Sequence, residues 1–573
     1  MRRPALLVAA CFVVDAAVVV FLGGSIEAAA MFSIFVAFIA VPAIQLLPLP
    51  YAILAAVPWF FLRKASGVPL AVDAATAVVL VALVWRRRRF LPQVKLPVVT
   101  FLVVPFVFAL VWLGWAAPAG HDVRFYGLFG IDFGNLVAVV STLRVSPLLP
   151  LSYVAGGGPL SYHWLYFTIP AALASFGGGA MPNANALILA NLLMAMLLVQ
   201  AVASIASEKL AAAVAVFAPF TTYFYQTISS RVPLGPLAVP MRNHLLLSPL
   251  NSMVTFGNNT VALVLAMAAL AALERWNRDG KLRDLAEGCI ALAAVAGFSI
   301  TLVFPLALAL LAWIPRIRRP AFAVAAAAAA GAIFLAILWT LHVLGGDSSR
   351  HLALAFDRGA FLKMALFGMA PLWLLARRRE LTIFHAVIAA CVAVPSFVYI
   401  AGSPTGASDF SMKTATLMAV AFAPLLVVRR SLLVALVVGA GLIQSAAYVL
   451  QFPFYRLRHV TTNGVSIERD YANALAWVRG HTPLSAVVAD PHELRNRDEL
   501  FTAILGERRV WLPTAYAKTY LIADLPPAVL ARETMPLESG DADVLLVPYA
   551  IASPRWRAVH REGSWIVYRR TTT

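Results

Sequence analysis

Cysteine and charged residues are both scarce in this chain of 573 residues. It has three cysteines, Cys11, Cys289 and Cys391, and 13% of its residues are charged, whereas 61% are hydrophobic. Because the cysteines are odd in number, lie in apolar segments and lack metal-ligand spacing, they are predicted to be core residues. The apolar runs are close to the ~20 residues that cross a bilayer as a helix. The chain is therefore predicted to be a polytopic membrane protein.

Motifs for several common chemistries are missing as well. The sequence has no Gly-rich phosphate loop, HExxH pair, nucleophile elbow or CxxC motif, so nucleotide hydrolysis and zinc chemistry have no support. Acidic residues are fewer than basic ones, 27 against 45, but this excess does not indicate a nucleic-acid partner. It is concentrated in short clusters between apolar runs, which is typical of cytoplasmic loops. The clusters lie at 2–3, 86–89, 275–283, 316–319, 377–379 and 429–430.

Placing these clusters in the cytoplasm fixes the threading of the chain. About fifteen spans are predicted over residues 1–451, with the N-terminus cytoplasmic and the C-terminal part outside. The loops 116–183, 227–253, 345–360 and 402–412 then face outward. The expected fold class is an all-α polytopic membrane protein with a small C-terminal α/β domain, located in the bacterial inner (plasma) membrane. The spans lie near 5–22, 30–46, 49–62, 69–85, 97–115, 184–205, 210–226, 254–273, 285–299, 301–314, 320–344, 361–376, 381–401, 413–428 and 431–451.

Three segments need special treatment in this threading. Both flanks of the apolar run 285–314 are basic, so this run is predicted to turn back near 297–299 as two short helices. The run 160–176 is assigned to a helix on the outer leaflet, because one more crossing would reverse all later clusters. Arg63 and Lys64 fall outside in this scheme, against the positive-inside rule.

Residues 452–573 are richer in polar groups and are predicted to fold as a small α/β domain outside the membrane. The stretch "RDYANALAWVRGHTP" has helical spacing with Gly480 as a stop, and "SAVVAD" and "DVLLVPY" are typical of buried strands. The alternation in "GSWIVYRR" predicts an edge strand. "DPHEL" resembles a metal cluster only superficially, since a surface turn explains it equally well.

Two aspartates stand out in the 116–183 segment, Asp122 and Asp132. A carboxylate near the bilayer boundary is costly, so it usually faces water or a polar site. Asp132 is the stronger candidate for a functional role, and Asp122 has His121 and Arg124 as neighbours. The alternative for both is helix capping, since Asp before an apolar run is a good N-cap.

Polar and cationic residues also recur in the predicted outward loops. A turn with three glycines precedes Tyr162 and His163, and the later loops contain Arg231, Arg242, His244, Arg350 and Lys413. Cations on the non-cytoplasmic side run against the insertion bias, and a phosphate or pyrophosphate ligand would explain them. Salt bridges within the loops, such as Asp347 with Arg350, are the alternative. His163 is as easily a hydrogen-bonded structural residue as a ligand.

Taken together, these motifs resemble the GT-C superfamily of integral membrane glycosyltransferases. The resemblance is carried by an aspartate in a long first outer loop, by "PLSYH" some thirty residues later, by the hairpin "VAGFSITLVFPLALALL" and by the stretch "SDFSMKTATLMAVAFAPLL". It implies that Asp132, or Asp122 in its place, is the catalytic acidic residue. Tyr162 and His163 match the family's Tyr-His element, and Lys413 matches its late-loop cation. The histidine often found after the aspartate is missing here, and so is an adjacent acidic pair, so a divalent metal has no support from the sequence.

The resemblance implies transfer of a sugar from a polyprenyl-phosphate donor to a hydroxyl of an unknown glycan, lipid or protein acceptor. One carboxylate would act as general base, with inversion at the anomeric carbon. Arg231, Arg242, Arg350 or Lys413 would stabilise the charge on the leaving phosphate. Two alternatives stay open: a transporter or flippase of lipid-linked sugars, and an inactive GT-C-like scaffold.

Overall fold

The computed structural model describes most of the chain, and the elements below belong to the described residues. These are 19, 22, 25–87, 103–112, 114–127, 131–146, 150–158, 160, 164–179, 181–206, 208–218, 249–317, 320, 324, 327, 331, 351–357, 360–361, 364, 372, 375–376, 381–401, 406–427, 432–459, 465–492, 500–513 and 525–571. Cys391 is buried and Cys289 is partly buried, whereas Cys11 lies outside these ranges.

Helices make up most of the described chain up to residue 457. They are α1 (Ile26–Leu46), α2 (Leu49–Ser66), α3 (Pro69–Arg87), α4 (Val104–Trp112), α5 (Ile131–Val145), α6 (Thr168–Ser175), α7 (Asn183–Ile205), α8 (Lys209–Phe217), α9 (Pro249–Thr255), α10 (Gly257–Asp279), α11 (Leu282–Phe298), α12 (Val303–Trp313), α13 (Ile383–Phe397), α14 (Gly406–Phe422) and α15 (Leu432–Leu457).

Within the described ranges, four helices are long and apolar enough to cross a bilayer, namely α1, α3, α7 and α10. The expectation of about fifteen spans is therefore not confirmed. Some predicted spans correspond to short helices, such as α12 with 11 residues, and others, such as 5–22 and 320–344, lie mostly outside the described residues. Helices α7 and α10 are largely buried inside the protein, whereas α3 is almost fully exposed. The exposed apolar side chains of α3 are consistent with insertion into a membrane.

Arg63 and Lys64, the two cations that violate the predicted threading, have structural partners. The Arg63 guanidinium donates to both carboxylate oxygens of Asp73 at 2.6 and 2.9 Å and to the Ala172 carbonyl at 3.1 Å. Lys64 Nζ donates to the Leu143 carbonyl at 2.6 Å. These carbonyls belong to the C-terminal turns of α6 and α5, where positive charge is favourable. The two cations are thus accounted for by contacts within the protein.

The segment predicted as a helix on the outer leaflet is shorter than expected. A 3-10 turn, Trp164–Phe167, leads into α6, which has eight residues. Residues 168–174 are all buried, and α6 packs against α5 and α7. This helix is therefore covered by protein rather than lying on a surface.

Residues beyond 465 form a small mixed domain around a five-stranded sheet with the order β7-β6-β8-β10-β9. Strand β6 is parallel to β7 and β8, and β10 is antiparallel to β8 and β9. The domain's short helices are α16 (Arg469–His481), α17 (Phe501–Ile504) and α18 (Pro527–Leu530). The strands of the described residues are β1 (Ala116–Ala119), β2 (Asp122–Phe125), β3 (His351–Leu354), β4 (Val398–Ala401), β5 (Ser466–Glu468), β6 (Val487–Ala489), β7 (Arg509–Val510), β8 (Val544–Val547), β9 (Trp556–Glu562) and β10 (Trp565–Arg570).

The local predictions for this domain hold for one helix and two strands and fail for one strand. Helix α16 and strands β6 and β8 occur where the sequence pattern places them, although α16 runs one residue past Gly480. The edge-strand prediction for "GSWIVYRR" is wrong. Strand β10 is paired on both sides, its first four residues are buried, and β9 forms the edge.

In the described chain, backbone hydrogen bonds join the C-terminal domain to the 116–183 segment at two places. Strands β1, β2 and β5 form one antiparallel sheet, so the domain's first strand pairs with the earlier segment. At the other place, the Ala155 amide donates to the Val510 carbonyl at 2.9 Å, and the Val510 amide donates to the Tyr153 carbonyl at 3.0 Å. Arg532 clamps this turn by donating to the Ala155 carbonyl at 2.6 Å. Helix α15 also continues to Leu457, beyond the predicted boundary at 451/452.

A buried ionic group reinforces this connection, and we call Arg144, Asn183 and Glu507 the junction cluster. Arg144 Nη1 donates to Glu507 Oε2 at 3.0 Å and to Asn183 Oδ1 at 2.7 Å. The backbone N–H of Asn183, at the start of α7, donates to Glu507 Oε1 at 2.9 Å. Glu507 thus satisfies an orphan N–H at the positive end of a long helix. It does so from a left-handed backbone conformation, φ 53°, which is strained for a residue with a side chain.

Candidate functional site

The end of α9 and the start of α10 form a junction that several other elements approach. Phe256 separates the two helices with a non-helical backbone (φ −118°, ψ 79°). The last carbonyls of a helix lack intrahelical partners, and here side chains supply them. Trp112 Nε1 donates to the Val254 carbonyl at 3.1 Å, and Asn191 Nδ2 donates to the Thr255 carbonyl at 3.3 Å. Helices α4 and α7 therefore fix this junction.

Gly257 allows α10 to begin directly against an aromatic side chain. The Tyr166 hydroxyl donates to Asn191 Oδ1 at 2.5 Å, and a Cβ atom at position 257 would overlap both groups. Only glycine fits there without moving one of them. The 3-10 turn that contains Tyr166 is thereby held at the start of α10.

The break between α11 and α12 lies at the same junction. Helix α11 ends at Phe298, and Ser299 is extended (φ −157°, ψ 97°) before a 3-10 turn leads into α12. Asn258 Nδ2 donates to the Phe298 carbonyl at 3.4 Å, and the buried hydroxyls of Ser299 and Thr301 are 3.2 Å apart. The predicted interruption of the run 285–314 is confirmed, and the two helices pack mainly on different partners, α11 on α10 and α12 on α13.

The first turn of α5, which contains Asp132, is held by aromatic contacts to the same region. The Phe133 ring packs 4.9 Å from Trp112 and 5.8 Å from Trp115. Trp115 Nε1 donates to Asn185 Oδ1 at 3.1 Å, near the start of α7. Asp132 is the second residue of α5, and its side chain lies outside the described part of the structure. Its backbone is thus one residue from a ring that contacts Trp112, whose indole N–H binds the end of α9.

Two described elements that contact this junction contain or directly follow other sequence-predicted residues. Lys413, half-buried in α14, belongs to a helix that packs against α9, α10 and the turn Ile300–Leu302. Tyr162 and His163 lie outside the described residues, but the chain resumes at Trp164 in a turn that contacts α5, α10 and α11. Arg231, Arg242, His244 and Arg350 also lie outside the described residues.

His121, Asp122 and Arg124 have a different setting, in the sheet shared with the C-terminal domain. The His121 carbonyl accepts from the Arg469 amide at 2.8 Å, and Arg124 Nη1 donates to the His459 carbonyl at 2.6 Å. Asp122 is the register partner of Glu468 in β5. In the described part of the chain, β2 packs mainly on β1, β5 and α16, and α14 packs on other elements. These contacts favour a structural role for β2.

Asp490 is a buried acidic residue, so the interpretation of "DPHEL" as a surface turn is wrong at this position. Its side chain is 1% exposed and accepts from the Tyr471 hydroxyl at 2.5 Å and the Thr502 hydroxyl at 3.2 Å. Burial raises the pKa of this carboxyl to about 6, and hydrogen bonds from Tyr471, the His492 amide and Thr502 oppose the rise. The signal in the sequence was an Asp at the carboxyl end of a buried parallel strand, β6, where ligand sites of α/β sheets also lie.

Comparison with known proteins adds no family to these observations. No protein-family model matches the chain, and no curated protein matches its sequence. Among the described residues, no group of three or more His, Cys, Asp or Glu side chains is arranged to hold a metal ion.

Proposed function

We propose that this protein is a glycosyltransferase of the GT-C type, which moves a sugar from a polyprenyl-phosphate donor to an acceptor hydroxyl at the outer face of the membrane. The observation that supports this most is the convergence at the α9–α10 junction. The helix that begins at Ile131 and Asp132, the turn that follows Tyr162 and His163, and the helix that contains Lys413 come from distant parts of the sequence. All three approach that junction through the contacts of Trp112, of the 164–167 turn and of α14.

In this proposal Asp132 is the general base that takes the proton of the acceptor hydroxyl. The acceptor oxygen, as it loses its proton to Asp132, attacks the anomeric carbon. The bond between that carbon and the polyprenyl phosphate breaks at the same time, and the phosphate leaves with the electron pair. Lys413 stabilises the charge that grows on that phosphate, an interaction that is strong where water is excluded. The apolar helices around the junction would hold the isoprenoid chain.

The two aspartates provide the decisive experiment. Purified protein in lipid nanodiscs is given polyprenyl-phosphate sugars with a labelled head group, and transfer to added acceptors is measured. Asp132→Asn keeps size and polarity but removes the base, so kcat should fall by about 10²-fold or more. Asp122→Asn removes a carboxylate that lies opposite Glu468 in the β1-β2-β5 sheet, so kcat should stay near the wild-type value and the sheet should not be weakened. An Asp132→Asn variant with the wild-type rate would overturn the assignment, and a larger loss with Asp122→Asn would transfer the role to that residue.

A transporter of lipid-linked sugars is the second candidate, and the helix break at Ser299 favours it. Interrupted helices with polar residues at the break are typical of membrane transporters. Liposomes with a fluorescent lipid-linked sugar distinguish the two functions. Movement of the lipid across the bilayer without any transfer by the wild-type protein would select the transporter.

A further inference from the structure

Two adjacent amides at the start of α10 have unmet hydrogen-bonding capacity. Asn258 and Asn259 are 3% and 1% exposed. Asn258 Oδ1 and both amide atoms of Asn259 have no hydrogen-bond partner among the described residues. The next residue, Thr260, differs, since its hydroxyl donates to the Ser252 and Phe256 carbonyls at 2.9 and 3.2 Å. Buried polar atoms without partners are rare and unfavourable in folded proteins. A bound ligand with hydroxyl groups, or ordered water, would supply the missing hydrogen bonds at this pair.

Helical periodicity shows which way the second amide points. Successive residues of an α-helix project about 100° apart. Gly257 faces Tyr166, Asn258 faces Phe298, and Thr260 faces Ser252. Asn259 therefore projects into the sector between α11 and α9. Helix α14 is a further neighbour of this region, since it contacts α9, α10 and the turn Ile300–Leu302. The two amides thus lie where α10 meets the helix break, and α14 contacts both of these elements.

The unmet groups specify the chemistry of the ligand. The amide of Asn259 presents a free donor and a free acceptor, and Asn258 adds an acceptor. A cation would leave the Asn259 N–H unsatisfied, and an anion would leave both amide oxygens unsatisfied. A hydroxyl group donates and accepts at once, so it satisfies both atoms. The Ser299 and Thr301 hydroxyls, 3.2 Å apart at the helix break, add groups of the same kind.

We propose that Asn258 and Asn259 bind hydroxyl groups of the transferred sugar, and that this sugar is neutral, such as an unsubstituted hexose or pentose. The identification of the ligand as a sugar rests on the proposed function. Neutrality follows from the amides themselves, because a carboxylate would face the acceptor oxygens of Asn258 and Asn259 and lose its hydration without gaining enough donors. The two residues are thus specificity determinants for the donor head group.

The test measures donor binding separately from transfer. The full-length protein in nanodiscs is titrated with polyprenyl phosphate alone, with the same lipid bearing a neutral hexose, and with the same lipid bearing a uronic acid, and Kd is obtained from the rise in unfolding temperature. The wild type should bind the neutral-hexose lipid most tightly. Asn259→Leu should weaken that binding by about tenfold or more and leave binding of the bare lipid unchanged.

Thr260→Val is the matched control, since Thr260 is equally buried but its hydroxyl binds only backbone carbonyls, and its Kd should stay within about twofold of the wild type. Asn259→Ala is measured in parallel in case the leucine cannot be accommodated. Wild-type binding of the neutral-hexose lipid by both variants would overturn the proposal, as would a wild-type preference for the uronic acid. If the protein binds this lipid through Asn259 but transfers nothing, the site stands and the enzymatic function fails.

Discussion

Two buried polar clusters in this protein differ in how completely their hydrogen bonds are made. In the junction cluster, Arg144, Asn183 and Glu507 bind one another through charged and amide groups, although Arg144 Nε has no partner among the described residues. At the start of α10, the side chain of Asn258 makes one long hydrogen bond, and the side chain of Asn259 makes none within the described chain. Both clusters lie at the beginning of a long helix.

The difference separates two roles of buried polarity. A cluster whose members satisfy one another contributes to folding, because removing one member leaves the others desolvated and unpaired. A cluster with open donors and acceptors is unfavourable for the isolated fold and gains its partners only when something binds. Such a loss of stability at binding sites is a recurring cost of function.

The largest effect is expected from breaking the junction cluster. Glu507→Gln retains the size of the side chain but leaves the Arg144 charge uncompensated in a buried site. The unfolding free energy should fall by roughly 3 kcal/mol or more. Denaturant unfolding of the protein in mixed micelles measures this, and faster limited proteolysis between residues 481 and 509 should report loosening of the C-terminal domain.

A double variant tests whether charge pairing is the cause. Arg144→Met with Glu507→Leu removes both charges, so it should be less destabilising than the sum of the two single changes. Strictly additive losses would show that the two side chains act independently and would contradict the interpretation of the cluster.

The comparison also shows what the sequence could and could not predict. Helix α16, strands β6 and β8 and the interruption before Ser299 follow from local periodicity and from flanking charge, and these predictions are confirmed. Pairing of the turn at Ala155 with β7 joins segments far apart in the chain, and local patterns do not encode such partners. For the same reason, the sequence alone associated the three-glycine turn with the neighbouring site residues Tyr162 and His163. In the structure this turn packs against the C-terminal domain.

The candidate site was predictable only in part for a similar reason. Asp132 and Lys413 were predicted because each is a charged residue beside apolar segments and each matches a position of the family resemblance. Asn258 and Asn259 are uncharged, and nothing in their spacing separates them from amides that cap helices. Their significance depends on which neighbours leave them unpaired, which only the fold determines.

Asp490 is a third kind of buried polar group. Its carboxylate accepts hydrogen bonds from two hydroxyls and a backbone N–H, and all of these donors are uncharged. Its folded pKa, about 6, is above the usual value of an aspartate. Its contribution to stability is therefore fully present below about pH 4 and is lost as the pH rises through 6. Asp490→Asn cannot ionise, so its unfolding free energy relative to the wild type should rise by on the order of 2–3 kcal/mol between pH 4 and pH 8.

Full-length protein in micelles is suitable for this measurement, with both proteins compared at each pH so that other titrating groups cancel. The Asn variant loses one acceptor for the His492 amide, but that cost is the same at every pH. An equal difference between the two proteins at pH 4 and pH 8 would show that Asp490 does not titrate in this range.

The smallest effect on stability is expected from apolar substitution at Asn259. Asn259→Leu replaces unpaired polar atoms with a side chain of similar volume, so the unfolding free energy without ligand should stay within about 1 kcal/mol of the wild type or increase. Unfolding of the ligand-free protein measures this, with Thr260→Val again as the control for packing. A loss comparable to that of Glu507→Gln would mean that Asn259 is already paired within the fold, and the distinction between the two clusters would then disappear.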